Sequence, residues 1–287
     1  MPYRGRFRRV VLVVLAILSA VSTPAPSAIG ASLPPPMPPP GAVPWDDLFA
    51  DFVAVATRAE LWLGGDGAGR PAPHVRKFAA FRIPVPVVAD PGVVVRDLGP
   101  FLAALGTVTR RRFLPQRVGA ARLGPWFDAT APPTVVVALL DPAFAGEGAE
   151  PAALTEARRF LTRVPCFFRA RSGRDAAIRA ALVAVRADLP PARRTECLHE
   201  EFTQALGLAA DVADPRRSLY HDGGPVHRFA WYDCLMLALL YDPAVRPGDG
   251  PRDLEARRET LLARLRARLA DRPDLCAAAR FSLSAHP

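Results

Sequence analysis

Residues Glu196–Pro243, ECLHEEFTQALGLAADVADPRRSLYHDGGPVHRFAWYDCLMLALLYDP, decide how the chain is read. The first part is a helix candidate. At about 100° per residue, Leu198, Phe202, Ala205, Leu206 and Ala209 fall on one apolar face, the core side. Glu200 and Gln204 are one turn apart and project together, while Glu201 lies between Gln204 and the apolar face. Cys197 is on the same flank; His199 and Thr203 point elsewhere, so His199 is a poor candidate ligand. Gly207 is placed to end the helix in the left-handed conformation. A turn-rich segment follows, and then a strongly apolar helix from near Trp231 to Asp242-Pro243. Two adjacent carboxylates that are partly desolvated resist joint ionisation, which suits general acid–base chemistry. A solvated Glu-Glu pair on an ordinary amphipathic helix is the plainer alternative.

Outward from this stretch, the folded part is expected to start near Trp45. Asp46-Asp47 there can cap and charge a helix carrying Leu48, Phe49, Phe52, Val53 and Leu61. Val75–Val88 is a strand candidate whose latter half Pro84 and Pro86 should push to an edge or an extended loop. Val94–Leu105 reads as a helix with Gly99-Pro100 as a kink or its true start, and Arg110–Thr130 reads as irregular. Thr134–Leu140 (TVVVALL) has the β-branched composition of a buried strand. A helix from Pro151 through Leu161 and strands at Val164–Ala170 and Ile178–Ala187 follow. Arg252–Leu269 sets Leu254, Leu261, Leu262, Leu265 and Leu269 in one helical stripe, the cover of a core. Strands mixed with helices, then two or three helices in succession, predict an α+β fold on a small mixed sheet.

The termini and the bulk composition narrow the setting. Four arginines, Arg4, Arg6, Arg8 and Arg9, precede the apolar run Val10–Val21, and small residues follow at Ser22–Ala31. This is the pattern of a secretory signal peptide over residues 1–31. The proline-rich 32–44 reads as an extended linker and 45–287 as the folded domain. The formal charge of +9 over 287 residues falls to about +5 (9 − 4) once the leader's arginines are removed. Arg110–Arg112 is the one tight basic run and has no aromatic pattern beside it, so nucleic acid is not an expected partner. A membrane is not expected as one after signal cleavage either. The expected location is periplasmic or secreted. In an oxidising compartment the four cysteines favour two disulfides, for which three pairings exist. Cys166–Cys197 and Cys234–Cys276 is the pairing favoured here. Cys166 sits in a strand that can lie beside the Cys197 helix, and the other two belong to the C-terminal helical region.

The motif resembles the metzincin zinc peptidases, the matrixins among them, whose helix reads His-Glu-x-x-His-x-x-Gly-x-x-His ahead of a Met-turn and a C-terminal helix. Here Glu200-Glu201-Phe202-Thr203-Gln204-Ala205-Leu206-Gly207 puts Glu200 and Gln204 at the first two histidine positions. Glu201 stands at the general-base position, and the third histidine position falls on Ala210, next to Asp211. Ser218-Leu219-Tyr220 is similar to the Met-turn with Tyr220 for the methionine, and Asp233 matches the start of the C-terminal helix. This altered pattern is similar to DUF2927, a family of exported bacterial proteins of unknown function, most specifically over Cys197–Pro247. In that family an Asn precedes the Asp after the glycine, whereas here the place is Ala210.

The resemblance implies a metzincin-like (zincin-like) fold with an active-site helix, C-terminal helices and a degenerate metal site. Catalytic zinc needs three good donors. Glu200 can ligate, Gln204 only feebly and Ala210 not at all, so no metal and no cofactor is expected; an oxygen set drawn from Glu200, Gln204 and Asp211 would suit calcium better than zinc. The leading expectation is a non-catalytic envelope protein, a pseudo-metallopeptidase, whose cleft at Glu200, Gln204, Asp211 and Tyr220 binds a peptide or protein. The alternative is a divergent hydrolase with Glu201 as general base and non-histidine metal or orienting ligands. Carboxylate-pair glycoside chemistry is a third and weaker reading, because neighbouring helical carboxylates diverge and do not flank a sugar.

Overall fold

The computed structural model describes residues 38, 42–58, 74–90, 98–120, 132–143, 151–212, 218–221 and 226–276. The leader 1–31, nearly all of the proline-rich linker, Leu61 and Val94 lie outside them.

Five strands form one sheet: β1 (Arg82–Ala89), β2 (Arg112–Arg117), β3 (Thr134–Leu140), β4 (Cys166–Ser172) and β5 (Ile178–Arg186), in the order β2-β1-β3-β5-β4. Every pairing is parallel except β4 with β5, so the sheet is mixed and the fold is α+β as expected. β3 is buried along its whole length and divides the interior. Its Val135, Val137 and Leu139 enter a large core, and Val136, Ala138 and Leu140 a smaller one. The smaller core is closed by α3 (Ala152–Leu161) through Leu154, Ala157 and Leu161. The larger is filled from α1 (Trp45–Thr57), α2 (Leu98–Thr109), α4 (Pro191–Ala205), α5 (Trp231–Leu240), α6 (Pro251–Glu255) and α7 (Arg258–Asp271). Each fully buried Val, Leu or Phe stabilises the fold by roughly 1.5–3 kcal/mol relative to exposure.

Several local expectations are corrected. β1 is an interior strand, not an edge, despite Pro84 and Pro86. Its odd-numbered residues face β2, since Phe81 and Val87 accept from Arg112 and Val118 N–H. Its even-numbered ones face β3, where Asp90 N–H donates to Leu139. The missing proline N–H groups therefore point to the β3 side, and that ladder starts only at Val87. Residues 74–81 are not strand apart from one bridge, Lys77 with Ala177, and Phe81 is 61 % exposed. The 110–130 stretch contains β2, an outer strand with five of its six residues exposed; only Phe113 is buried. At α1 the N-cap is Pro44 and neither aspartate caps; Asp46 and Asp47 occupy the first turn, where the helix dipole favours carboxylates. The described part of α2 runs from Leu98 and holds Gly99-Pro100 in its first turn, while the expected start at Val94 lies outside the described residues. The C-terminal helix is broken at Ala256-Arg257. Arg257 leaves helical dihedrals while its guanidinium reaches the Ala244 carbonyl and, at 2.8 Å, the Asp249 carboxylate.

Both disulfides have the favoured pairing, Cys166–Cys197 joining β4 to α4 and Cys234–Cys276 joining α5 to the segment after α7. Between the ends of α4 and α5 runs the short segment 74–78. Lys77 is 4 % exposed, and its ammonium donates to the α5 carbonyl of Leu240 at 2.7 Å and to that of Asp242 at 3.3 Å. Burial, then the nearby Arg111 charge, lower its pKa to about 8. Gly207, at φ 121°, lies so close to this segment that a Cβ would sit 1.9 Å from the Arg76 carbonyl oxygen. Gly207→Ala is therefore expected to destabilise the protein by about 3 kcal/mol or more, through clash and a left-handed backbone. Gly99→Ala, with nothing near its Cβ, should be neutral or stabilising by up to about 1 kcal/mol. Urea denaturation midpoints of the two variants check both.

Candidate functional site

α4 starts on Pro190-Pro191, with the second proline in the first turn where a missing N–H costs nothing. Leu198, Phe202, Ala205 and Leu206 are buried, as the periodicity predicts. The helix is far less amphipathic than the wheel implies, however. His199, Glu201, Thr203 and Gln204 are buried as well, leaving Glu200 as the partly exposed residue between Cys197 and Leu208. α4 packs against β4 and β5 on one side and meets α2 aromatics on another: Phe101 lies 5.9 Å from the Phe202 ring.

His199 belongs to that aromatic wall. Its ring stacks on Phe101 at 4.1 Å and 21°, and burial, helped by the Arg228 charge, pulls its pKa down to about 3. The imidazole is held neutral and serves packing. Thr203 turns its hydroxyl back to the His199 carbonyl at 2.7 Å and the Glu200 carbonyl at 3.0 Å.

Glu201 and Gln204 are 8 % and 7 % exposed, and Ala210, at 4 %, is a buried methyl group. Asp211 is half-buried between Ala210 and Val212. Val212 N–H donates to the Tyr220 carbonyl at 2.8 Å, which brings the stretch after Gly207 beside the turn at Ser218-Leu219-Tyr220. Tyr220 is completely buried. Burial drives its phenol well above the ordinary value and the Asp233 and Glu200 carboxylates add to this, with the nearby Thr203 hydroxyl opposing it; the enclosed Tyr220 hydroxyl itself makes no hydrogen bond among the described residues. Tyr220 is thus set close to the Glu200–Thr203 turn of α4. Glu200, Thr203 and Tyr220 lie together at this turn, and Glu201 and Gln204 are buried on the same helix. Among the described residues, no three His, Cys, Asp or Glu side chains gather as a metal site would require. The donor set at the resembling positions is one carboxylate, one amide and one methyl group, which is a poor fit to zinc.

Asp233 holds this arrangement together and was visible in the sequence only as a match at a helix start. Fully buried at the first turn of α5, it accepts from Ser218 Oγ at 2.5 Å, Leu219 N–H at 3.2 Å and Ala230 N–H at 2.8 Å. Ser218 Oγ in turn accepts from Tyr220 N–H at 3.0 Å. One carboxyl therefore caps α5 and fixes the tyrosine turn. Nearer the start of α4, Glu196 joins Arg193 to His227, which lies 3.0 Å away, so the segment preceding α5 is tied to α4 as well.

Burial pushes the Asp233 pKa up to about 7, with the donors from Ser218, Ala230 and Leu219 pulling the other way. A folded pKa above the unfolded one means stability present in full below pH 4 and lost as pH rises to about 7. Relative to Asp233→Asn, whose amide does not titrate, the wild type should lose up to about 4 kcal/mol across that interval. Denaturation curves of the pair at several pH values measure it; a constant difference would contradict the raised pKa.

No curated protein and no solved structure matches the chain. Residues 46–257 match the family described as "Protein of unknown function (DUF2927)", a span running from the first turn of α1 to the break between α6 and α7. The strand-and-helix body and the α4 motif both fall inside that span, and the chain belongs to the DUF2927 family.

Proposed function

We propose that this is an exported protein with a metzincin-like scaffold and a degenerate metal site, which binds an extended peptide or protein segment without cleaving it. The observation that carries the reading is the chemistry at the three resembling ligand positions. Glu200 is half-buried, Gln204 is buried and Ala210 is a buried methyl group, so the third position has no donor atom. Without an activated water, Glu201 as a base lacks the partner that makes peptide hydrolysis tractable.

The place for a peptide is the edge of β4. Among the described residues β4 pairs with β5 alone, and Cys166–Cys197 anchors it to α4. An added strand would run alongside Phe168 and Ala170, which pack toward the large core, and Arg169 and Arg171, whose positions alternate with theirs. Two disulfides suit an oxidising compartment, and no helix among the described residues is long and apolar enough to cross a membrane. The leader at residues 1–31, the linker at 32–44 and a domain from 45 complete the proposal, with a periplasmic or secreted destination.

The purified protein, dialysed with and without zinc, should hold no stoichiometric metal and show no chelator-sensitive peptidase activity; either finding would sink the reading. Peptides selected for binding from a random display library should slow amide hydrogen exchange across Cys166–Ser172. Binding that leaves those amides unprotected would remove β4 as the docking edge. A divergent hydrolase is favoured by one observation, the retention of Glu201 in a buried setting. It requires Glu201→Gln to abolish turnover of some peptide or glycan while leaving the denaturation midpoint in place.

A further inference from the structure

At the other end of α5, about 10 Å along the helix from Asp233, a cavity of about 270 Å³ opens between the α5 C-terminus, α7 and the turn after α2. Its charged lining is Arg110, Asp242, Arg264, Arg268 and Asp271. Asp242 is neutralised: its carboxylate takes Arg264 Nε at 2.9 Å and Ala244 N–H at 2.8 Å. Arg268 spends one nitrogen on the α2 carbonyls of Thr107 and Val108, at 2.9 and 2.7 Å. Among the described residues its Nε and other terminal nitrogen have no hydrogen-bond partner, and the guanidinium of Arg110 has neither hydrogen bond nor ion pair. Two guanidinium groups thus face the cavity against the single carboxylate of Asp271. They repel each other: burial first, then Arg110 and Arg272, lower the Arg268 pKa to about 10. Arg110 is also one of two described non-glycine residues with left-handed backbone, at φ 55°. It stands immediately after the last residue of α2, where glycine is the usual terminator and an arginine costs about 1 kcal/mol.

We propose that this cavity is a binding site for the phosphate group of a phosphate monoester, held between Arg110 and Arg268. A guanidinium fork matches two phosphate oxygens at once, and a dianion outweighs the opposing Asp271. The volume exceeds a bare phosphate, and Leu265 on the wall offers apolar contact to the organic part. The site is independent of α4 and of the peptide-binding proposal.

The test titrates phenyl phosphate into the full chain at constant ionic strength, read by calorimetry and ³¹P line width. Saturable binding with a Kd below about 10 mM is expected, weakened at least about tenfold in Arg110→Gly and tightened in Asp271→Asn. Because glycine is at ease at this φ, Arg110→Gly should melt no lower than the wild type, which separates lost binding from lost folding. Glu201→Gln should bind as the wild type does. No saturable binding, or equal binding by wild type and Arg110→Gly, overturns the site. In a second arm, vesicles containing phosphatidic acid compete with phenyl phosphate: displacement assigns the monoester to a lipid headgroup, and no displacement to a soluble ligand.

Discussion

The ammonium of Lys77 on the last carbonyls of α5 is the contact on which the helical half of the molecule depends. An α-helix leaves its final carbonyls without partners, and those of α5 are buried, so water cannot serve them. One lysine from a segment 163 residues earlier supplies the donor. The same five residues bring the Arg76 carbonyl against Gly207, let the Lys77 carbonyl accept from Ile178 N–H at the start of β5, and bond Val75 to both Gly248 and Asp249. Tyr241 adds a cross-tie, its hydroxyl donating to the Leu206 carbonyl at 3.1 Å while its ring lies under Lys77 and Arg111. The ends of α4 and α5 and the entry to β5 are thus referenced to one strand-like thread. The position of Tyr220 under α4 follows from this frame together with the Asp233 cap.

Much of this was legible from local pattern, and the failures share a cause. The β-branched run Thr134–Leu140, the stripe of Leu198, Phe202, Ala205 and Leu206, and the Gly207 terminator are short-range signals, and they hold. So does the disulfide pairing, which needed only the order of elements. Pro84 and Pro86 misled because a proline forbids a ladder bond on one side of a strand, not an interior place. Arg112–Arg117 carries no alternation and becomes a strand because β1 offers it a partner. Glu201 and Gln204 flank the apolar stripe on a wheel, which suggests partial burial, yet both are buried because α4 is enclosed by sheet and helices together. Lys77, alone in an arginine-rich chain, gave no local hint of a partner so far along the sequence.

The two ends of α5 have opposite characters. At its start a buried carboxyl gathers donors and fixes a turn; at its end cations accumulate around the last carbonyls. Both are answers to the dipole of one short helix, and they give the chain two distinct regions of unusual electrostatics without any cluster that resembles a built metal centre among the described residues.

The disulfide pattern has a consequence for biogenesis. The first and second cysteines in the chain pair with each other, and so do the third and fourth, across separations of 31 and 42 residues. A polypeptide entering an oxidising space N-terminus first can form each native bridge as soon as its second cysteine emerges. Bridges made in order of appearance are already the correct ones. Maturation therefore has no inherent need for an isomerase, and a simple thiol oxidant suffices.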